Sequence, residues 1–127
     1  MSNPVTYIAI IDDDESYSRS LGRLLRAAAY QPVTYPSAEA FLGDANRPRF
    51  DCILLDIELG VGISGIELHR RLSAVGSTTP VIYVTAHDDP TTRASAQAAG
   101  CNGFVSKVEP SDLLLGAVES VIRPRTN

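Results

Sequence analysis

The chain has 127 residues, 44% of them hydrophobic and 20% charged, which fits one globular domain and excludes an intrinsically disordered chain. Its formal net charge of -4 argues against nucleic-acid binding by this domain, because phosphate contacts need a basic face. There is no apolar run of membrane-spanning length and no signal peptide pattern, so we expect a soluble, cytoplasmic protein. Cys52 and Cys101 form no metal-binding pattern, and we expect two reduced, partly buried thiols.

Five short apolar segments rich in β-branched residues predict β-strands. In chain order they are Tyr7–Ile11, Pro32–Tyr35, Cys52–Leu55, Val81–Val84 and Gly103–Val105. Three of the five are almost continuously apolar, which is typical of strands that are buried on both faces of a parallel sheet.

A helical pattern follows each predicted strand. An apolar stripe runs from Tyr17 to Ala28, and the later helices are predicted over Ala38–Leu42, Gly65–Leu72, the segment from Pro90 towards Gly100, and Leu113–Ile122. The residues expected to begin or end these helices are Ser37, Ser64 with Glu67, Asp89 with Pro90, Gly100 and Pro124. Strand and helix thus alternate five times, which predicts an α/β fold with a doubly wound, five-stranded parallel sheet.

Polar residues follow four of the five strands. Asp12 and Asp13 follow the first strand, Asp56 the third, Thr85 the fourth and Lys107 the fifth. Ligands of doubly wound sheets bind outside the carboxyl ends of the strands, so we expect these side chains to meet. Close carboxylates suit a hard cation such as Mg²⁺, and a carboxylate can act as a nucleophile that forms an acyl phosphate. Asp56 is central on the sheet and is the best placed nucleophile.

Each of these residues, taken alone, has a simpler interpretation. The acidic run 12–15 could cap the first helix, Asp56 could be a turn residue, and Thr85 could be ordinary strand chemistry. Lys107 could be a solvated charge, and His87 a surface histidine. Because independent accidents would all have to fall at one sheet edge, we favour a common site.

The segments IAIIDDDES, ILLD, GIEL, VIYVTA and GFVSK together resemble the receiver domain of bacterial two-component response regulators. The resemblance covers about residues 6 to 122, the core of a single domain over 1–127. It implies a flavodoxin-like fold with strand order 2-1-3-4-5 in three αβα layers. It also implies a phosphorylation-activated signalling switch, whose only chemistry is its own phosphorylation and dephosphorylation, rather than a metabolic enzyme.

The resemblance implies a role for each residue at the strand ends. Asp56 would accept a phosphoryl group from a sensor histidine kinase or a phosphotransfer protein. Asp12 and Asp13, with Asp56 and the backbone carbonyl of Glu58, would hold Mg²⁺, and Asp13 would be the more direct ligand.

The resemblance also implies how the switch would work. Thr85 would turn towards the phosphoryl oxygens and Lys107 would pair with them. Phe104 would be an aromatic switch, although its apolar strand also suits a plain core residue. The changed face of the last two helices would bind an effector domain or partner, or support a phosphorylation-dependent homodimer.

Two features depart from the pattern of that family. The loop ELGVGISG after Asp56 has no proline and is one residue longer, so the conformation from Gly60 to Gly65 is left open. Val108 replaces the usual proline after Lys107, and we predict a trans peptide bond there. We also expect His87 and Glu58 to flank the site.

Three other functions remain open from the sequence alone. A phosphohydrolase of the haloacid dehalogenase type would use Asp12 and Asp14, which have the required spacing. A flavin-binding domain would need a phosphate loop after the first strand, where DDDES would repel the phosphate instead. The third is a receiver that no longer takes phosphate. The sequence also leaves open whether the domain stands alone or is the front part of a longer regulator.

Overall fold

A computed structural model describes residues 4–122 of the chain, in which five strands alternate with five helices. The strands are β1 (Tyr7–Ile11), β2 (Gln31–Tyr35), β3 (Cys52–Leu55), β4 (Val81–Thr85) and β5 (Gly103–Ser106). The helices are α1 (Glu15–Ala27), α2 (Ala38–Gly43), α3 (Gly65–Ala74), α4 (Pro90–Ala98) and α5 (Ser111–Ile122). Every predicted element is present, although several of their ends lie at different residues from those predicted.

All five strands are parallel and lie in the order β2-β1-β3-β4-β5, which confirms the predicted doubly wound sheet. Every residue of β3 and of β4 is buried, as their continuous apolar sequences indicate. Side chains alternate between the faces of the sheet, so Ile53 and Leu55 join one apolar cluster and Leu54 joins the other.

These two clusters form the interfaces of a three-layer αβα architecture. Helices α2, α3 and α4 cover one face of the sheet, where Phe41, Leu68 and Ala96 are buried. Helices α1 and α5 cover the other face through Leu25 and Val118. A fully buried Leu or Phe contributes about 1.5–3 kcal/mol, so the two clusters hold the sheet rigidly between its helices.

The predicted helix caps are largely confirmed. The side chains of Ser37, Ser64 and Asp89 accept hydrogen bonds from backbone N–H groups at 3.0, 3.1 and 2.8 Å, respectively. Gly100 follows α4 with a φ of +85°, which a glycine adopts without steric cost. The predicted role of Pro124 lies outside the described residues.

The expectation for the two cysteines is met. Cys52 is buried and Cys101 partly buried, and both are free thiols. Between residues 4 and 122, no helix has the length and apolar character needed to cross a membrane.

Candidate functional site

The sheet itself brings the predicted site residues together at one edge. The backbone N–H of Asp56, directly after β3, donates to the carbonyl of Ile11 in β1 at 3.0 Å, and Asp12 directly follows Ile11. On the other side, the backbone N–H of Lys107 donates to the carbonyl of Thr85 at 2.8 Å. Because the parallel strands end at the same edge, residues far apart in sequence meet there.

Three carboxylates form a compact cluster at this edge. Asp12, Asp13 and Asp56 each offer one oxygen, and the three oxygens lie within 4.8 Å of one another. Asp12 and Asp56 are 4% and 6% exposed, whereas Asp13 is exposed. Two fixed oxygens and one beside solvent fit Mg²⁺, which prefers few carboxylates and keeps several waters. The donor set therefore suits this ion.

Lys107 balances part of the negative charge. Its ammonium lies 2.8 Å from Asp12 Oδ2 and 3.2 Å from Asp56 Oδ2. Burial acts to lower the pKa of Lys107, but the hydrogen bond to Asp12 and the nearby carboxylate charges outweigh burial and raise it. The Tyr17 ring on α1 lies 4.6 Å from the same ammonium, in a cation–π contact. Lys107 therefore stays cationic while it touches two carboxylates.

Asp56 occupies an unfavourable place for an anion. Burial first, and then the charge of Asp12, raise its pKa to about 6, although Lys107 and the N–H of Glu58 oppose the rise. That N–H donates to Asp56 Oδ1 at 3.1 Å, which holds residue 58 beside the carboxylate. A cation, or conversion to an acyl phosphate paired with cations, would relieve the repulsion.

The end of β4 supplies a hydroxyl and a flanking histidine. Thr85 is 0% exposed, and its Oγ1 accepts a hydrogen bond from the backbone N–H of His87 at 3.2 Å. His87 Nδ1 lies 2.9 Å from Glu58 Oε1, and both side chains are exposed. His87 and Glu58 thus connect the loops that follow β4 and β3. Phe104 is partly buried on β5, next to Tyr83 of β4.

The structure explains why glycine occupies three positions of the long loop between β3 and α3. Gly60 and Gly62 have φ values of +74° and +103°, which favour glycine. A Cβ at Gly62 would collide with the carboxylate of Glu39, which accepts the backbone N–H of Ile63 at 2.8 Å. A Cβ at Gly65 would collide with the backbone carbonyl of Asp56. The loop is therefore shaped by two left-handed glycines and by a contact with Glu39 of α2.

The remaining predictions about the site are resolved by local geometry. The peptide bonds of the described residues, Lys107–Val108 included, are all trans, as predicted. Asp14 accepts the backbone N–H of Tyr17 at 3.1 Å and caps α1. Asp14 therefore has the structural role that the simpler interpretation of the acidic run gave it, as the N-cap of α1.

Three side chains around the site were not predicted from the sequence. They are Tyr17 over Lys107, Glu39 at the long loop, and Arg93, whose guanidinium carbon lies 4.4 Å from the centre of the Phe104 ring. Tyr17 belongs to the predicted apolar stripe of α1, so its position was indicated but its partner was not. No local pattern signals the contacts of Glu39 or Arg93.

Comparison with known proteins agrees with this geometry. Residues 8–119 match the family model of the response regulator receiver domain. The response regulator protein TodT of Pseudomonas putida is 31% identical over 97% of this chain and 54% of its own length. The transcriptional regulatory protein FixJ of Bradyrhizobium diazoefficiens is 33% identical over 92% of this chain and 57% of its own length.

A solved structure supports the same conclusion. The response regulator receiver protein from Burkholderia phymatum is 36% identical, with a TM-score of 0.81 over 93% of this chain and 95% of its own. The chain spans about half the length of the curated relatives TodT and FixJ. It belongs to the response regulator receiver domains, the family of phosphorylation-activated switches in two-component signalling.

Proposed function

We propose that Asp56 is the phosphoacceptor of this switch. The observation that carries the proposal is its position: a buried carboxylate at the end of the central strand, clustered with Asp12 and Asp13 and 3.2 Å from Lys107. A carboxylate oxygen of Asp56 attacks the phosphorus of a phosphohistidine, the phosphorus–nitrogen bond breaks, and its electron pair leaves with the imidazole. The product is an acyl phosphate on Asp56.

Asp12, Asp13, Asp56 and the backbone carbonyl of Glu58 are the residues that would hold Mg²⁺. The ion, when bound, neutralises charge on the phosphoryl oxygens and orients them. The clustered carboxylate oxygens and the raised pKa of Asp56, caused by burial and by Asp12, support this assignment. Asp13, the exposed member, is the ligand most accessible to an incoming ion.

In this proposal Thr85 and Lys107 bind the new phosphoryl group. Phosphorylation adds nearly two negative charges and strong acceptor oxygens at Asp56. Lys107 exchanges a carboxylate partner for a phosphoryl oxygen, and the hydroxyl of Thr85 leaves the N–H of His87 to donate to another. Phe104 then moves inward, which changes the face formed by α4, β5 and α5. His87 and Glu58 flank the site and influence access of water.

Partners follow from the same proposal. The phosphoryl donor is a sensor histidine kinase or a phosphotransfer protein, and a cytoplasmic location is part of this proposal. The changed face would bind an effector domain or partner protein, or a second copy of the chain. The family match over 8–119 and the single sheet support residues 1–127 as one receiver domain.

Intact-mass measurement tests the central assignment. Wild type incubated with acetyl phosphate and Mg²⁺ should gain the mass of one phosphoryl group, whereas Asp56→Asn should gain none. Asp112→Asn, at an exposed position on α5, is the matched control and should gain the same mass as wild type. No gain in wild type, or equal gain in Asp56→Asn, would show that Asp56 is not the phosphoacceptor.

A further inference from the structure

The ring of Phe104 is covered by a cation that a carboxylate holds in place. The guanidinium carbon of Arg93, on α4, lies 4.4 Å from the centre of the Phe104 ring. The same guanidinium donates two hydrogen bonds to Asp88, from Nε to Oδ1 at 3.1 Å and from Nη2 to Oδ2 at 2.7 Å. A planar guanidinium held through two bonds has a fixed orientation, and it stacks well on an aromatic face. We call this arrangement the Asp88–Arg93 clamp.

The clamp begins in the loop after β4, the loop whose His87 N–H binds the hydroxyl of Thr85. Asp88 lies directly after His87, whose backbone N–H donates to Thr85 Oγ1 at 3.2 Å. Thr85 is buried at the end of β4, and Phe104 lies on the neighbouring strand β5. One continuous set of contacts therefore leads from the Thr85 hydroxyl, through the loop and Arg93, to the Phe104 ring.

We propose that the Asp88–Arg93 clamp holds the Phe104 ring in its present, partly buried position and thereby stabilises the unphosphorylated form of the domain. This inference rests on the proposed function, because it concerns the switch that Asp56 would control. Arg93 is a positioning residue: it touches the ring and not the reacting atoms. No motif marks it, and its role follows only from the contacts that the fold gives it.

The physical argument is a competition between two arrangements of one loop. In the unphosphorylated arrangement the Thr85 hydroxyl accepts from the N–H of His87, and the adjacent Asp88 is placed to orient Arg93. When Thr85 donates to a phosphoryl oxygen instead, the loop loses that bond. Asp88 is then no longer fixed, and the stacking of Arg93 weakens. A variant without the clamp should already populate the inward ring position before phosphorylation.

The Phe104 ring can be followed directly by NMR of protein labelled with ¹³C-phenylalanine. The chain has three phenylalanines. The other two, Phe41 and Phe50, are buried, and the centres of their rings lie 5.9 Å apart. Their signals report whether a variant remains folded, while Phe104 reports the clamp. The measurement is made without Mg²⁺ and without a phosphoryl donor, so it does not depend on phosphorylation.

The informative substitution is Asp88→Asn, because it leaves the Arg93 side chain intact and removes only the carboxylate charge that orients its guanidinium. We expect the Phe104 signals of Asp88→Asn to shift in the same direction as those of Arg93→Ala. Arg93→Lys should give an intermediate shift, since an ammonium keeps the charge but lacks the planar fork. Arg71→Ala is the control, because Arg71 forms a comparable surface pair with Glu67 at 3.2 Å on α3.

Phosphorylation kinetics provide the second measurement. We expect acetyl phosphate to phosphorylate Asp88→Asn and Arg93→Ala about two- to fivefold faster than wild type, since the activated form is more populated. The double variant should be no faster than either single variant, because both remove the same clamp. Arg71→Ala should react at the wild-type rate.

The outcomes separate the clamp from the proposed function. Unchanged Phe104 signals in Asp88→Asn would overturn the clamp. If wild type is phosphorylated, the clamp would also be overturned by phosphorylation of Asp88→Asn and Arg93→Ala at a rate no faster than that of Arg71→Ala. If no variant and no wild-type protein gains a phosphoryl group, the proposed function fails. In that case the Phe104 signals alone decide whether the clamp holds the ring.

Discussion

Removing the charge of Asp56 is expected to stabilise the fold in the absence of divalent cations. Asp56 is 6% exposed and its carboxylate is clustered with those of Asp12 and Asp13. Burial and the charge of Asp12 raise its pKa to about 6, so at neutral pH the folded protein holds an anion in a place that favours the neutral acid. Asparagine copies the neutral acid in shape. The free energy of unfolding of Asp56→Asn should therefore exceed that of wild type.

The size of this gain follows from the pKa shift. A rise from 3.8 to about 6 corresponds to about 3 kcal/mol, and solvent at the open edge of the site screens it to about 2 kcal/mol. Since the folded pKa is raised, the stability associated with the neutral acid is fully present below pH 3.8 and is lost as the pH rises through about 6. The advantage of Asp56→Asn should be largest above that range and shrink on acidification.

Urea unfolding followed by circular dichroism measures both effects, at about pH 7.5 and about pH 4.5 with a chelator present. Asp112→Asn, an exposed substitution on α5, should stay within about 0.5 kcal/mol of wild type. Adding Mg²⁺ should stabilise wild type more than Asp56→Asn, because binding to the folded state shifts the equilibrium, and the gap should narrow. Equal stability of the two proteins at about pH 7.5 without Mg²⁺, or a gap that widens on acidification, would refute the electrostatic argument.

Two further substitutions test contacts that support the site. Tyr17→Leu should slow phosphorylation by acetyl phosphate about two- to tenfold, because Lys107 loses the ring that lies 4.6 Å from its ammonium, whereas Tyr17→Phe should keep the wild-type rate; equal rates for both variants would contradict this role. Gly62→Ala should lower the free energy of unfolding by about 1–2 kcal/mol, because of its φ of +103° and the collision with Glu39. The loss should be smaller in a Glu39→Ala background, and an equal loss in urea titrations would show that the collision is unimportant.

The sequence predicts which side chains meet at one edge of the sheet, because the end of an apolar strand can be read directly along the chain. The apolar run CILL fixes where β3 ends, and Asp56 must then lie at the carboxyl edge of the sheet. The same holds for Asp12 after β1 and Lys107 after β5. Once the strands are parallel, these positions converge whatever the details of side-chain packing.

The sequence holds no comparable signal for side-chain contacts between the sheet and the helices that cover it. His69 of α3 and Tyr83 of β4 are both buried, and His69 Nδ1 lies 2.9 Å from the Tyr83 hydroxyl. The stacking of Arg93 on Phe104 likewise requires that α4 pack against β5 at one distance and rotation. Periodicity tells which face of a helix is buried, but it does not tell which side chain across the interface is met. These contacts had to be found in the structure.

The site combines two kinds of restraint that differ in what can change. Backbone N–H groups of Asp56 and Lys107 donate hydrogen bonds to the carbonyl oxygens of Ile11 and Thr85, at 3.0 and 2.8 Å, respectively. These hydrogen bonds continue the ladders of a buried parallel sheet. The contacts of Lys107 with two carboxylates, and of Thr85 with the N–H of His87, are made by side chains and can exchange partners. The backbone hydrogen bonds do not involve the atoms that exchange partners. In the proposed function, the side chains therefore respond to a phosphoryl group on Asp56 while the hydrogen bonds of the sheet stay intact.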